Sequence, residues 1–139
     1  MIILDTNVIS EIMLPRPDIQ ILSWLDRQSD ASIWTTSVNI FEIYYGLQSM
    51  PEGKKRSALV DLFERWLAEV IQGRIASFDE AAARRAADLN ALRKRIGRPV
   101  DVRDTMIAGI VLASHATLAT RNVNHFEEIA PSLVNPWGA

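Results

Sequence analysis

A three-layer α/β/α sandwich around a central parallel sheet is the fold class this sequence predicts, on three observations. Short apolar runs alternate with longer segments of helical period along the whole chain. The first run, Met1-Ile2-Ile3-Leu4, passes directly into Asp5, as a buried central strand does when it ends at the edge where open parallel sheets build their sites. Breakers punctuate the alternation at Pro15 and Pro17, Pro51-Glu52-Gly53, Gly97 with Pro99, Pro131 and Pro136. Strands that alternate with helices favour parallel pairing, with helices covering both faces.

The strand candidates in order are 2–5, 32–36, 74–77, 117–120 and 133–135. Helical periodicity covers 17–28, 37–49, 54–72, 79–96 and 104–115. Leu59, Leu62, Phe63, Trp66, Leu67 and Val70 share one side of the third helical segment, and Met106, Ile107, Ile110 and Val111 share one side of the last. No repeat, linker or low-complexity stretch interrupts the pattern, so 1–139 reads as one domain.

Composition narrows the function classes. A chain of 139 residues with 48% hydrophobic and 23% charged residues has the make-up of an ordinary globular protein large enough for a real core. The formal net charge of −2 argues against indiscriminate nucleic-acid binding, so any such contact must come from a local basic patch. Absence of cysteine excludes disulfides, thiolate metal sites and cysteine nucleophiles, and suits a reducing cytoplasm. No run approaches the ~20 apolar residues of a membrane span, and the chain start lacks the pattern of a secretion signal.

Polar residues placed on this scaffold gather at one edge. Asp5 ends the first strand, Glu42 lies early in the helix after strand 32–36, Asp104 opens helix 104–115, and Asn122 follows strand 117–120. Each lies near a strand's carboxyl end or the amino end of the helix after it. Three carboxylates in one crevice would raise one another's pKa. A divalent cation removes that cost, and hard oxygen donors favour Mg²⁺ or Mn²⁺. Read singly, the same residues have plainer roles: Asp101 as an N-cap with Asp104 in the first helical turn, and Glu42 as a solvated helix residue.

Charge is also patterned. Residues 84–103 carry Arg84, Arg85, Arg93, Lys94, Arg95, Arg98 and Arg103 against Asp88 and Asp101, a local balance of +5. The stretch leads into Asp104, so it suits either an RNA backbone or a solvated helix face. Arg95 and Arg103 from this stretch, with Arg121 beside Asn122, are the RNA-contact candidates. The apolar set Trp34, Phe41, Tyr44, Tyr45, Leu47 and Met50 exceeds what one helix face needs for a core, which leaves part of it for a partner surface.

Leu4-Asp5-Thr6-Asn7-Val8-Ile9-Ser10 resembles the opening of PIN-domain proteins, in particular the VapC toxin ribonucleases and their FitB-like relatives. Thr36-Ser37 with Phe41-Glu42-Ile43 and Gly46, then Asp104-Thr105-Met106-Ile107-Ala108, then Leu118-Ala119-Thr120-Arg121-Asn122 with Phe126, follow in the family's order. Asn135-Pro136-Trp137 resembles the close of the FitB-like branch. The resemblance spans essentially the whole chain. It implies a PIN-like fold and a cytoplasmic toxin of a type II toxin–antitoxin system, acting as a Mg²⁺- or Mn²⁺-dependent endoribonuclease. It further implies Asp5 and Asp104 as principal metal ligands, Glu42 as third acid, and Thr6 and Asn7 as supports for Asp5. Asn122 joins the catalytic set where the family often has another acid, and Asp101 is the acid that would replace it. His125 stands at a second such position. The implied partners are a VapB-like antitoxin, an RNA substrate and a second copy in a homodimer.

Competing readings fare differently. A phosphatase of the haloacid dehalogenase type wants an acid where Asn7 stands. A receiver domain wants a late strand-end lysine, and the last lysine is Lys94. The alternative that survives is a non-catalytic PIN-like RNA- or protein-binding module with a degraded metal site, to which Asn122 and His125 lend support.

Overall fold

The computed structural model describes residues 1–138. Five strands form one all-parallel sheet: β1 (Ile2–Leu4), β2 (Ile33–Thr36), β3 (Ile75–Ala76), β4 (Thr117–Ala119) and β5 (Leu133–Val134), in the order β3-β2-β1-β4-β5. The sheet grows to one side of β1 through β2 and β3, then crosses to the other side through β4 and β5. The reversal leaves a crevice between the carboxyl ends of β1 and β4, where open α/β sheets place ligands.

Strand pleating sorts the side chains into two cores. Ile3, Leu118 and Trp34 face one layer with Ala82, Leu89, Ile107, Ile110 and Phe126, whereas Leu4, Ala119 and Ile33 face the other with Val8, Ile9, Ile21, Phe63 and Ile71. This period-two division is the sandwich the sequence predicts, with burial on both sheet faces explaining the continuous apolar runs. Among the described residues, no helix is long and apolar enough to cross a membrane.

The helices are α1 (Thr6–Ile12), α2 (Ile19–Asp26), α3 (Ser37–Gln48), α4 (Lys54–Trp66), α5 (Glu80–Arg95) and α6 (Val102–Ser114). Most begin at a residue able to accept an orphan amide: Asp5, Asp18, Thr36, Asp79 and Asp101 each take a backbone N–H of the first turn. The predicted segment 54–72 is α4 continued by one π-helical turn, Leu67–Ile71, closed by Gln72 in the left-handed region. The helix predicted from 104 starts two residues earlier, capped by Asp101.

Three elements depart from the sequence expectation, the least of them a 3-10 turn, Asp30–Ser32, that takes the first residue of the strand expected over 32–36. Helix α1 starts directly after β1, where no helix is predicted; its β-branched Val8 and Ile9 and seven-residue length carry too little helical period. Asp5 is accordingly a helix cap, not the last residue of the strand. A kinked 3-10 segment, Val123–Ser132, also links β4 to β5, with Phe126 and Ile129 buried beneath it.

Helices α5 and α6 pack closely because Gly109 lets them. A Cβ at this position would stand 2.5 Å from the Ala82 carbonyl oxygen and 2.8 Å from the Ala86 Cβ. Both are rigidly placed, so a methyl group must push the helices apart. Gly109→Ala is expected to destabilise the fold by about 2 kcal/mol through overpacking. Urea denaturation would read this as a lower midpoint at unchanged slope, and an unshifted midpoint would contradict the close approach.

Candidate active site

Asp5 occupies the switch-point crevice and is 3% exposed. Both its oxygens are engaged. Oδ1 accepts the Thr6 backbone N–H at 2.8 Å and Asn39 Nδ2 at 3.0 Å. Oδ2 accepts the Thr120 hydroxyl at 2.8 Å and Asn7 Nδ2 at 3.3 Å. The donors come from α1, α3 and the end of β4, so one carboxylate ties three elements together. Burial drives its pKa above the ordinary aspartate value, and the bonds from Thr120, Thr6 and Asn39 pull the other way.

Glu42 and Asp104 complete the acidic group. Glu42 projects from α3, and its Oε1 accepts the Thr6 hydroxyl at 3.0 Å. Asp104, in the first turn of α6, faces His125, with Nδ1 at 2.9 Å from Oδ2. Both carboxyls are raised, first by burial. Charge repulsion from Asp5 and Asp104 adds for Glu42, and from Asp5 and Asp101 for Asp104. The three acids therefore share one electrostatic neighbourhood. Among the described residues, no three acidic or histidine side chains form a ready cation cluster. The donor set nonetheless fits a hard divalent cation in its chemistry: oxygen ligands of like charge, whose repulsion a cation would relieve. Arg103 moderates it only from a distance, 3.9 Å from Glu42 Oε2.

The other predicted residues fall into distinct places. Thr6 and Asn7 both support Asp5; Asn7 also accepts the Arg121 backbone N–H through its side-chain oxygen at 3.1 Å. Asp101 is exposed, caps α6 and holds the Arg103 guanidinium at 3.2 Å, which keeps its carboxyl below the usual range. Asn122 offers its backbone N–H to the Thr120 hydroxyl at 3.0 Å, and its side chain caps nothing. Arg121 lies over the Trp137 ring at 4.8 Å, and Arg95 is exposed at the end of α5.

The basic stretch 84–103 is not one surface. Arg84 pairs with Glu80, Arg98 with Glu127 and Glu128, and Arg103 with Asp101. Arg93 faces inward and is 1% exposed, so it belongs to neither the RNA face nor the solvated face that the sequence suggests. Two residues to which the sequence reading assigns no role are central. Asn39 is fully buried and binds Asp5, the Thr6 hydroxyl at 3.0 Å and the Thr36 hydroxyl at 2.6 Å. Thr120 is fully buried beside Asp5. The Thr36-to-Asn39 spacing, a polar cap and a polar residue three positions on, is the signal that could have marked the first.

A family model described as PIN domain matches residues 2–130. The chain is 36% identical to the VapC ribonuclease Y4jK of Sinorhizobium fredii over 137 residues, covering 99% of this chain and 98% of that protein. It is 31% identical to toxin FitB of Neisseria gonorrhoeae over 137 residues, covering 99% of each. Its fold superposes on a chain of FitAB bound to an IR36 DNA fragment with a TM-score of 0.89 at 31% identity, covering 100% of this chain and 97% of that one.

Raised carboxyl pKa values set the sign of a pH effect. Asp5, Glu42 and Asp104 hold their protons to higher pH in the folded protein than in the unfolded chain. Their contribution to stability is full below the ordinary carboxylate range and is lost as pH rises through the raised values. Asp104→Asn is expected to raise the melting temperature in EDTA by a few degrees at neutral pH and to flatten this decline. Thermal melts across a pH series check both; a variant that melts lower at every pH would refute the repulsion.

Proposed function

The chain belongs to the PIN-domain family, and on that premise we propose that it is the toxin of a type II toxin–antitoxin pair, acting as a metal-dependent endoribonuclease. The observation that carries this reading is the convergence of Asp5, Glu42 and Asp104 at the switch-point crevice, with each pKa raised by burial and, for Glu42 and Asp104, by the neighbouring acids. Structural ion pairs lower carboxyl pKa values; a group of acids that destabilise one another has the character of a site awaiting a cation.

Asp5 and Asp104 would hold Mg²⁺ or Mn²⁺, with Glu42 as the third acid. The bound cation supplies Lewis acidity toward water and the scissile phosphate, and it neutralises charge that builds up during phosphodiester hydrolysis. The chain's own residues do the positioning. Asn39, Thr120 and Thr6 hold Asp5 rigid, while Thr6 orients Glu42 through its hydroxyl. Glu42, with its raised pKa, is the general base for the attacking water. Because water and not the ribose 2′-hydroxyl attacks, the products carry 5′-phosphate and 3′-hydroxyl ends. Arg103 at the crevice mouth, Arg121 and Arg95 supply phosphate contacts that set register and not sequence.

A VapB-like antitoxin is the partner this reading implies. The name of toxin FitB and the FitAB complex support it. So does a groove of about 370 Å³ that runs from Glu42 and Thr6 across Met13, Leu14, Ile43 and Leu59, polar at Glu42, Thr6 and Ser10 and apolar beyond. Phe41 and Tyr45, stacked with ring centroids 6.2 Å apart, are 56% and 63% exposed and support a homodimer contact. The rest of the apolar set the sequence singles out is taken up by packing, with Tyr44 edge-on to Phe63 and Leu47 buried.

Purified antitoxin-free protein is expected to cleave a mixed RNA pool with Mg²⁺ or Mn²⁺ and not in EDTA. Asp5→Asn should lower the rate on the order of 10³-fold. End analysis should find 5′-phosphates. Folded protein that cleaves nothing with either metal would favour the binding-module reading, and cleavage that survives Asp5→Asn would place the chemistry elsewhere.

A further inference from the structure

Arg93 is the largest of the fully buried side chains, and it lies within one residue of the acidic crevice on two sides. Its Nη1 donates to the Thr105 hydroxyl at 2.6 Å; Thr105 follows Asp104 in α6. Its Nη2 donates to the His125 carbonyl oxygen at 2.7 Å and to Glu128 Oε1 at 2.9 Å. His125 and Asp104 are themselves 2.9 Å apart. The guanidinium thus sits behind the Asp104–His125 pair and holds the backbone or neighbour of each. Arg98 reinforces the same loop through Glu127, Glu128 and the Asn124 carbonyl oxygen.

Stability alone is a weak reason for this arrangement. Burying a guanidinium carries a large desolvation penalty that its partners must compensate, and an apolar side chain of similar volume often serves the fold as well. Arg93 Nε has no hydrogen-bond partner among the described residues. An apolar residue could fill the space between α5, α6 and the 3-10 segment, but it could not fix their relative positions by direction. A planar fork with donors at fixed angles can.

We propose that Arg93 is a positioning residue that sets Asp104 against His125, and so fixes the α6 side of the crevice relative to the loop after β4. The inference rests on the ribonuclease reading for its catalytic consequence and on the network alone for its geometry. Loss of the fork would let Asp104 drift by a fraction of an ångström without unfolding the chain, and misplacement on the scale of 1 Å costs about 10²-fold in rate.

The test compares full-length wild type with Arg93→Lys, Arg93→Met and Glu128→Gln, each assayed well below its own melting temperature. The readouts are kcat and KM on a cleaved RNA, the Mn²⁺ dissociation constant, and the His125 ring NMR shifts in metal-free protein. Arg93→Met is expected to lower kcat by roughly 10- to 100-fold at little-changed KM and to weaken Mn²⁺ binding about tenfold. Arg93→Lys should recover part of both, because an ammonium replaces one arm of the fork. The His125 shifts should move in each variant. If Arg93 variants do not fold, Glu128→Gln carries the test, since it keeps the guanidinium and weakens one anchor. Lower melting temperatures with wild-type kcat, Mn²⁺ affinity and His125 shifts would overturn the proposal. If wild type cleaves no RNA, the ribonuclease reading fails, and the metal-free His125 shifts decide the positioning role by themselves: moved shifts uphold it and unmoved shifts overturn it.

Discussion

The buried carboxylate of Asp5 is the constraint around which the rest of the structure is arranged. A charge in that position, 3% exposed between two strand ends, is tolerable only with its acceptor sites filled. The filling donors are a helix-start amide, a hydroxyl from the end of β4 and an amide from α3, with Asn7 adding a longer contact. Satisfying one group therefore orients α1, docks α3 and sets the ends of β1 and β4 beside each other. The strand order supplies the crevice, and Asp5 makes the crevice rigid.

That rigidity is bought against repulsion. Glu42 and Asp104 stand close enough for acid charges to raise both, and the chain relieves them only in part, through Thr6 and Arg103 on one side and His125 on the other. Elsewhere the protein uses charge in the opposite sense. Glu128 is held below the usual carboxylate range, first by Arg93, as a structural ion pair should be. The contrast between an acid lowered by its pairing behind the crevice and acids left raised within it separates scaffold from candidate site on physical grounds.

Two hydrogen-bonded frames meet at this place. The first runs from Thr36 through Asn39 to Asp5 and Thr6, and so to Glu42. The second runs from Glu128 through Arg93 to Thr105 and the His125 carbonyl, and so to the neighbours of Asp104. Both are built from side chains with two or more donors or acceptors, and both are buried at their centres, where direction is enforced by the cost of an unmade bond. The frames run behind the α3 and α6 sides of the crevice, each with a buried side chain, Asn39 or Arg93, at its centre.

Much of this was legible in the chain. Alternating apolar runs and helical periods dictate a parallel sheet between helices, because only that arrangement buries strands on both faces. The same alternation puts Asp5, Glu42 and Asp104 toward one edge, since Asp5 follows a strand, Asp104 lies in the first turn of a helix and Glu42 lies in the helix after a strand. Helix α1 was not legible, because a seven-residue helix rich in β-branched residues has no periodic signature. The roles of Asn39, Thr120 and Arg93 were not legible either. Local sequence marks Arg93 as one cation in a basic stretch, yet its helix turns it inward beneath a segment more than 30 positions later in the chain. Periodicity is a local property and survives in the sequence; which distant donors complete a buried charge depends on packing across the sheet, and only the tertiary structure decides it.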